Sequence, residues 1–296
     1  MPELPEVETV RLGLDRLLPG LIVKSVTCQN PKSFSATPAA VKKFLTGVAV
    51  SQVNRRAKVL MIELSSQQTL LIHLKMTGQL VFQSRSVHFG AGHPNDSLVG
   101  QLPDKSTRVT FEFTDGSRLF FNDQRKFGWI RLLPTADVDG IDLIQKLGPE
   151  PLETQFTWQV LNERLQRRLR TNIKAALLDQ TVIAGIGNIY ADESLWGAKI
   201  HPQTLVQQLS TPQVKALHNS IVTVLQLSLQ YGGSTDRNYV DAEGHKGSYL
   251  SFAKVFRREG QACPRCGTTI VKIRVAGRGT HLCPHCQKLH VPRIAS

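Results

Sequence analysis

Apolar residues at Val7, Val10, Leu14, Leu17 and Leu18 recur near the helical period. Pro5 suits the first turn of such a helix, Glu3, Glu6 and Glu8 suit the positive end of its dipole, and Pro19-Gly20 ends it. A helix is therefore predicted to about Leu18. From Leu21 to Leu133 the pattern changes to short alternating or apolar runs, at 21–26, 59–64, 70–74, 109–113, 118–121 and 129–133. Asp115-Gly116 is a hairpin signal between two of them. Strands at this spacing predict a sandwich or a barrel, and Ser84 to Ser106, which lacks a period, is predicted as a long loop.

The pattern breaks between Pro134 and Pro151, where Leu147-Gly148-Pro149-Glu150-Pro151 reads as a linker or elbow. Helical periodicity returns at 160–169, 173–178, 189–196 and 214–229, so the second half is predicted to be mainly helical before its C-terminal segment. The 296 residues suit two modest domains, or one with a substantial appendage. No apolar run reaches the length of about 18 residues needed to span a bilayer. The start lacks the basic and apolar stretches of a signal peptide, so a cytoplasmic protein is expected.

Charge adds a partner to this picture. The formal charge is +13 and residues 254–296 carry nine Lys or Arg against Glu259 alone, which suits a polyanion. Four of the five cysteines fall in the same segment, as Cys263-Pro-Arg-Cys266 and Cys283-Pro-His-Cys286. Two C-x2-C pairs sixteen residues apart in a reducing compartment read as a tetrahedral site for one zinc ion, each pair placing two thiolates on the metal. Cys28 lies in an apolar run and reads as a small buried hydrophobe.

Pro2 follows Met1, and removal of Met1 would leave a secondary amine. Its pKa near that of an α-amino group, about 7.7 to 8.0, would keep a nucleophilic neutral fraction at physiological pH. Attack on a sugar C1′ would give an iminium ion able to act as an electron sink for elimination. On position alone a helix-start proline is the simpler reading of Pro2, and first-turn acids explain Glu3 and Glu6 equally well. Gly185-Ile186-Gly187 before Asn188-Ile189-Tyr190 can offer amides and the Asn188 side chain to a phosphate, or form a plain turn between helices. Gly232-Gly233-Ser234-Thr235 marks a flexible loop, either a connector or a lid.

These strings occur together, from the opening Met1-Pro2-Glu3-Leu4-Pro5-Glu6 through Arg56-Ala57-Lys58, His73-Leu74-Lys75-Met76-Thr77-Gly78 and Asn122-Asp123-Gln124-Arg125-Lys126-Phe127-Gly128 to Arg278-Gly279-Thr280-His281-Leu282-Cys283. Over essentially its full length the sequence resembles the formamidopyrimidine-DNA glycosylases. The resemblance implies an α+β protein: an N-terminal β-sandwich with flanking helices at 1–134, a linker at 135–154, a helix-two-turn-helix domain at 155–260 with a lesion loop at 232–250, and a zinc β-hairpin at 261–290. It implies a monomer that excises oxidised purines from damaged double-stranded DNA, bound in a cleft between the halves, and then cleaves the strand. Pro2 matches the Schiff-base nucleophile, Glu3 the glycosylase-step proton donor, with Glu6 beside it, and Lys58 a proton donor linked with β-elimination. Arg278 matches an arginine that grips phosphate and is linked with δ-elimination. Met76, Arg125 and Phe127 match groups that fill the space vacated by an everted base. Lys174 and Asn188 match phosphate contacts, Arg108 and Arg170 fall near DNA-contacting positions, and Ser234, Thr235, Asp236, Arg237, Asn238 and Tyr239 match the loop over the everted base.

Gln124, Arg108 and Asp236 depart from the commoner residues of the family, which bears on the DNA contacts and on lesion preference. An endonuclease VIII-like enzyme for oxidised pyrimidines would share Pro2, Glu3 and the zinc hairpin; Leu4 and the Gly232 loop favour the purine enzyme. A non-catalytic zinc-ribbon DNA-binding protein would explain the charge and cysteines but not the opening string.

Overall fold

The computed structural model describes residues 2–93, 95–234 and 249–289. The chain divides into two compact units, Met1–Gln145 with Ser228–Tyr249, and Lys146–Leu227 with Leu250–Ser296.

In the first unit helix α1 (Leu4–Leu17) buries Leu4, Val7, Val10 and Leu14 at helical spacing. Glu3 is its N-cap, and the Glu6 carboxylate three residues on accepts the Glu3 N–H at 2.7 Å, satisfying an otherwise orphaned donor. Strands β1 (Val23–Cys28), β2 (Val50–Arg56), β3 (Val59–Leu64), β4 (Gln68–His73), β5 (Gly78–Gln83), β6 (His88–Gly92), β7 (Thr107–Phe113), β8 (Arg118–Asp123) and β9 (Trp129–Pro134) form two antiparallel sheets, ordered β2-β3-β4-β9 and β1-β7-β8-β5-β6. Leu60, Ile62, Leu70 and Ile72 of the first sheet share one core with Leu80, Phe82, Val109, Phe111 and Phe121 of the second and with the buried stripe of α1. Two sheets closed on a common core make a sandwich, with α1 on its flank. A methyl at Gly13 would overlap the Phe89 ring, so α1 lies close on β6 only because residue 13 is glycine. Asp115-Gly116 forms the expected hairpin between β7 and β8, with Gly116 at φ +86 and the Asp115 carboxylate accepting the Ser117 N–H. Short helices α2 (Pro38–Phe44) and α3 (Asp142–Gln145) complete this unit.

Two expectations are corrected here. The segment Ser84 to Ser106 is not a loop throughout, since it contains β6 and a short 3-10 turn at Asp96–Leu98. Cys28 is exposed, because it ends an edge strand on the solvent side, with its thiol 3.6 Å from the Phe34 carbonyl.

The second unit holds α4 (Trp158–Gln166), α5 (Ile173–Leu178), α6 (Asn188–Gly197) and most of α7 (Thr211–Gln230), then the hairpin of β10 (Val271–Val275) and β11 (Arg278–Leu282). Asn172 caps α5 by accepting the Ala175 N–H at 2.8 Å. The α5–α6 turn is braced by Gln180, whose amide donates to the Ile186 carbonyl at 2.8 Å and accepts the Gly185 N–H at 2.9 Å. Residues 148–150, read as linker or elbow, are packed into this turn: Gly148 N–H donates to the Gln180 carbonyl, and a methyl at Gly148 would sit 2.7 Å from the Val182 backbone. Ala276 and Gly277 both have positive φ at the hairpin tip, the conformation of a two-residue hairpin turn. Among the described residues no helix is long and apolar enough to cross a membrane.

Candidate active site and nucleic-acid interface

At the start of α1, Pro2, Glu3 and Glu6 are all buried. One Glu6 oxygen takes the Glu3 N–H and the other accepts the Ser234 N–H at 2.6 Å. This anion lies at the positive end of the helix dipole and bridges the helix start to the Gly232-Gly233-Ser234 turn. Gly233 has φ +87, and a methyl there would come within 3.0 Å of the Glu6 side chain, so glycine is needed twice over. Thr235, Asp236, Arg237, Asn238 and Tyr239 lie outside the described residues.

Lys58 occupies the β2–β3 turn, next to Ala57 at φ 52, and is only 6% exposed. Arg55 holds that turn to α1, donating to Glu8 at 2.7 Å and to the Ala57 carbonyl at 2.9 Å, while Asp15 accepts the Val53 N–H at 2.8 Å. Burial, then the nearby Lys75 and Lys58 ammonium groups, push the His73 imidazole down to about 3, so His73 is neutral at physiological pH. Its Nδ1 accordingly accepts the Lys75 N–H at 3.0 Å.

Met76 and the pair Arg125 and Phe127 occupy two adjacent turns, because β5 and β8 pair Gly78 with Asp123. Phe127 is 53% exposed with the Arg125 guanidinium 4.7 Å from its ring centroid, so it is a surface aromatic rather than a core residue. Met76 is half-buried.

In the second unit Lys174 has no exposed surface, and its ammonium pairs with Asp192 and donates to the Asn188 carbonyl at 3.3 Å. Lys174 was expected to meet phosphate; its partners make it an internal brace. The other Asp192 oxygen accepts the His281 N–H at 3.0 Å, and the Asn188 amide donates to the Gly279 carbonyl at 3.0 Å. These bonds fix β11 beside the N-terminus of α6, with Arg278 exposed at the first position of the strand. Glu193 accepts three consecutive N–H groups, of Lys254, Val255 and Phe256, at 2.8 to 2.9 Å. Arg170 is exposed in the turn after α4, which ends at Gln166 rather than continuing to Leu169.

The sulfurs of Cys263, Cys266, Cys283 and Cys286 lie within 4.8 Å of one another. Cys266 Sγ is 3.5 Å from both Cys283 and Cys286 Sγ, close to the S···S separation of about 3.8 Å that four thiolates at about 2.3 Å impose around a tetrahedral zinc. Hydrogen bonds from the Thr268 hydroxyl and N–H bring the Cys266 thiol down to about 6. At Cys263 burial opposes ionisation, but the backbone N–H groups of Arg265 and Cys266 outweigh it and leave the thiol below its usual range. Burial drives Cys283 up to about 12 and raises Cys286, the cost that a coordinated dication offsets.

Residues 1–130 match the formamidopyrimidine-DNA glycosylase N-terminal domain, 147–239 the H2TH domain of the same enzymes, and 260–289 the zinc finger found in FPG and IleRS. A formamidopyrimidine-DNA glycosylase of Pelotomaculum thermopropionicum is 43% identical, over 98% of this chain and 100% of its own. The chain belongs to the formamidopyrimidine-DNA glycosylase family. Crystal structures of Lactococcus lactis Fpg with Fapy-dG-containing DNA, as a variant, and with abasic-site DNA superpose with a TM-score of 0.85 at 37% identity, covering 97% of this chain and 100% of theirs.

Against the family frame, the structure gathers Pro2, Glu3, Glu6 and Ser234 in one place, and Met76, Arg125 and Phe127 in another. It puts Arg108 inside: 8% exposed, with Nε donating to the Asp123 carbonyl at 2.8 Å, so this expected DNA contact reaches the surface only through its neighbours. Asp123, Asp192 and Glu193 were not singled out by their sequence. The signal was there for the last two, adjacent acids within the mostly apolar run 189–196 of a buried helix, a pattern that demands internal partners.

Proposed function

We propose that this glycosylase excises oxidised purines from damaged double-stranded DNA and then cleaves the resulting abasic site. The observation that carries the reading is the Glu6 carboxylate, which binds the backbone of both the Pro2-Glu3 helix start and the Gly-rich loop start. Solved relatives bound to Fapy-dG-containing and abasic-site DNA support the substrate class.

With Met1 removed, the Pro2 lone pair attacks C1′ and the bond to the base breaks. The C1′–O4′ bond then opens to an iminium ion, and Glu3 supplies the proton that the leaving group or ring oxygen requires. Water takes a C2′ proton and the released electron pair neutralises the iminium to an enamine, which then expels the 3′-phosphate and re-forms the iminium, with Lys58 donating the proton that the departing phosphate oxygen takes. A further loss at C4′ expels the 5′-phosphate, which Arg278 holds, and water releases Pro2. Asn188 and the exposed Arg170 meet phosphates, while Met76, Arg125 and Phe127 occupy the vacated stack and offset an unstacking cost of a few kcal/mol. The reading includes one zinc per chain, a monomer and a cytoplasmic location.

Rates on 8-oxoguanine opposite cytosine and on thymine glycol test the substrate class. Faster excision of the oxidised purine is expected, and the reverse order would favour an endonuclease VIII-like enzyme. Glu3→Gln should slow base excision by about a hundredfold or more while affecting cleavage of a preformed abasic site less. Equal loss of both steps would remove the acid role.

A further inference from the structure

The turns bearing Met76 and the Arg125–Phe127 pair are separate connections between the two sheets, β4 to β5 and β8 to β9, yet one carboxylate joins them. Asp123 closes β8, is 0% exposed, and has donors on both oxygens. Oδ1 accepts the Thr77 hydroxyl, directly after Met76, and the Arg125 N–H at 3.2 Å. Oδ2 accepts the Gly128 N–H, directly after Phe127, at 2.6 Å. The Arg125 N–H is also within 3.1 Å of Thr77 Oγ1. The Asp123 backbone is itself pinned, donating to the Ser106 carbonyl at 2.8 Å and accepting from the buried Arg108 guanidinium at 2.8 Å.

Each turn holds a non-glycine residue in the left-handed region, Lys75 at φ 51 and Lys126 at φ 58, a conformation that persists only when the surroundings determine it. Gly128 admits the short approach to Oδ2, since a methyl there would come 3.1 Å from that oxygen and 2.7 Å from the Phe121 ring. No smaller or neutral group supplies the same set of acceptors. An asparagine keeps the size but turns an N–H toward either the Gly128 or the Arg125 N–H, donor against donor.

We infer that Asp123 is a positioning residue for base eversion: it sets Met76, Arg125 and Phe127 as one rigid wedge, with Arg108 acting on DNA recognition through it. The inference rests on the proposed role of those three side chains as fillers of the vacated stack. A duplex lesion needs the wedge, whereas an abasic site in single-stranded DNA has no stack to refill.

The test is the ratio of 8-oxoguanine excision in duplex DNA to cleavage of a single-stranded abasic oligonucleotide. It is measured for the zinc-loaded wild type, Asp123→Asn, Thr77→Val and, as a control on the fillers, Phe127→Ala. Asp123→Asn should lower the ratio roughly tenfold or more, as misplacement by about an ångström does, with a smaller fall for Thr77→Val. A general loss of folding lowers both activities and leaves the ratio in place. An unchanged ratio in Asp123→Asn with a fall in Phe127→Ala overturns the inference and spares the reading of the fillers. An unchanged ratio in Phe127→Ala overturns that reading and the inference with it. If Asp123→Asn cannot be purified folded, Thr77→Val decides, and its ratio must fall.

Discussion

His73 illustrates how a single buried side chain ties stability to pH. In the folded chain it stays neutral down to about 3, whereas in the unfolded chain it protonates below its ordinary value of 6.5. Between those limits the unfolded state binds more protons, so this residue's contribution is lost as pH falls through the window and regained as pH rises. Gln in its place can still accept the Lys75 N–H without titrating. The fall in melting temperature from pH 6.5 to pH 4 should therefore be smaller in His73→Gln than in wild type, and identical slopes would contradict the account. At this scale the sequence was most legible where chemistry is local. The four cysteines could be singled out by spacing, and Pro2 and Glu3 by the resemblance of the opening string, since position alone left them as helix-start residues. The internal roles of Asp123, Arg108 and Lys174 were not legible, because their partners lie 46 positions away at Thr77, 15 away at Asp123 and 18 away at Asp192, and only the folded chain shows which charge is internal.

Among elements, the four-cysteine hairpin is where the proposed zinc ion, the local fold and the proposed phosphate contact of Arg278 meet. Its core of Val255, Cys263, Ile270 and Cys283 is small, so the four thiolates carry much of its integrity. Metal analysis should find one zinc per chain, and a chelator should weaken lesion-DNA binding by releasing the strand that displays Arg278. Arg278→Ala, with zinc content unchanged, should make binding less salt-dependent by about 0.9 in the slope of log K against log salt, the effect of one lost phosphate contact. Parallel slopes with full excision would make Arg278 a solvated surface charge. Helices α1 and α4 to α7 and six strands of the first unit followed from periodicity; the short helices α2 and α3 and three strands of that unit did not, the strands for identifiable reasons. β2 buries Val50 and Val53, a spacing of three created by the register shift between Val50 and Gln52, so its alternation is broken. β6 carries Gly90 and Gly92, poor strand formers that are present because the Leu98 and Gly78 carbonyls pass 2.7 and 2.6 Å from where a methyl would sit. β5 is buried at five of its six positions and so shows no polar face.

For the whole molecule, a formal charge of +13 predicts DNA affinity that falls steeply with salt, but charge alone serves any DNA-binding protein. What separates this account from such a protein is covalent chemistry at residue 2, in a chain that has lost Met1. Borohydride reduction during reaction with a duplex containing 8-oxoguanine opposite cytosine traps the iminium, and mass spectrometry of the digested adduct locates it. The expected result is one DNA adduct per chain on the Pro2 nitrogen, with Met1 absent, and no adduct or strand cleavage when Met1 is retained. Strand cleavage without a trapped adduct, or an adduct on Lys58 that persists in Pro2→Gly, would contradict the central claim.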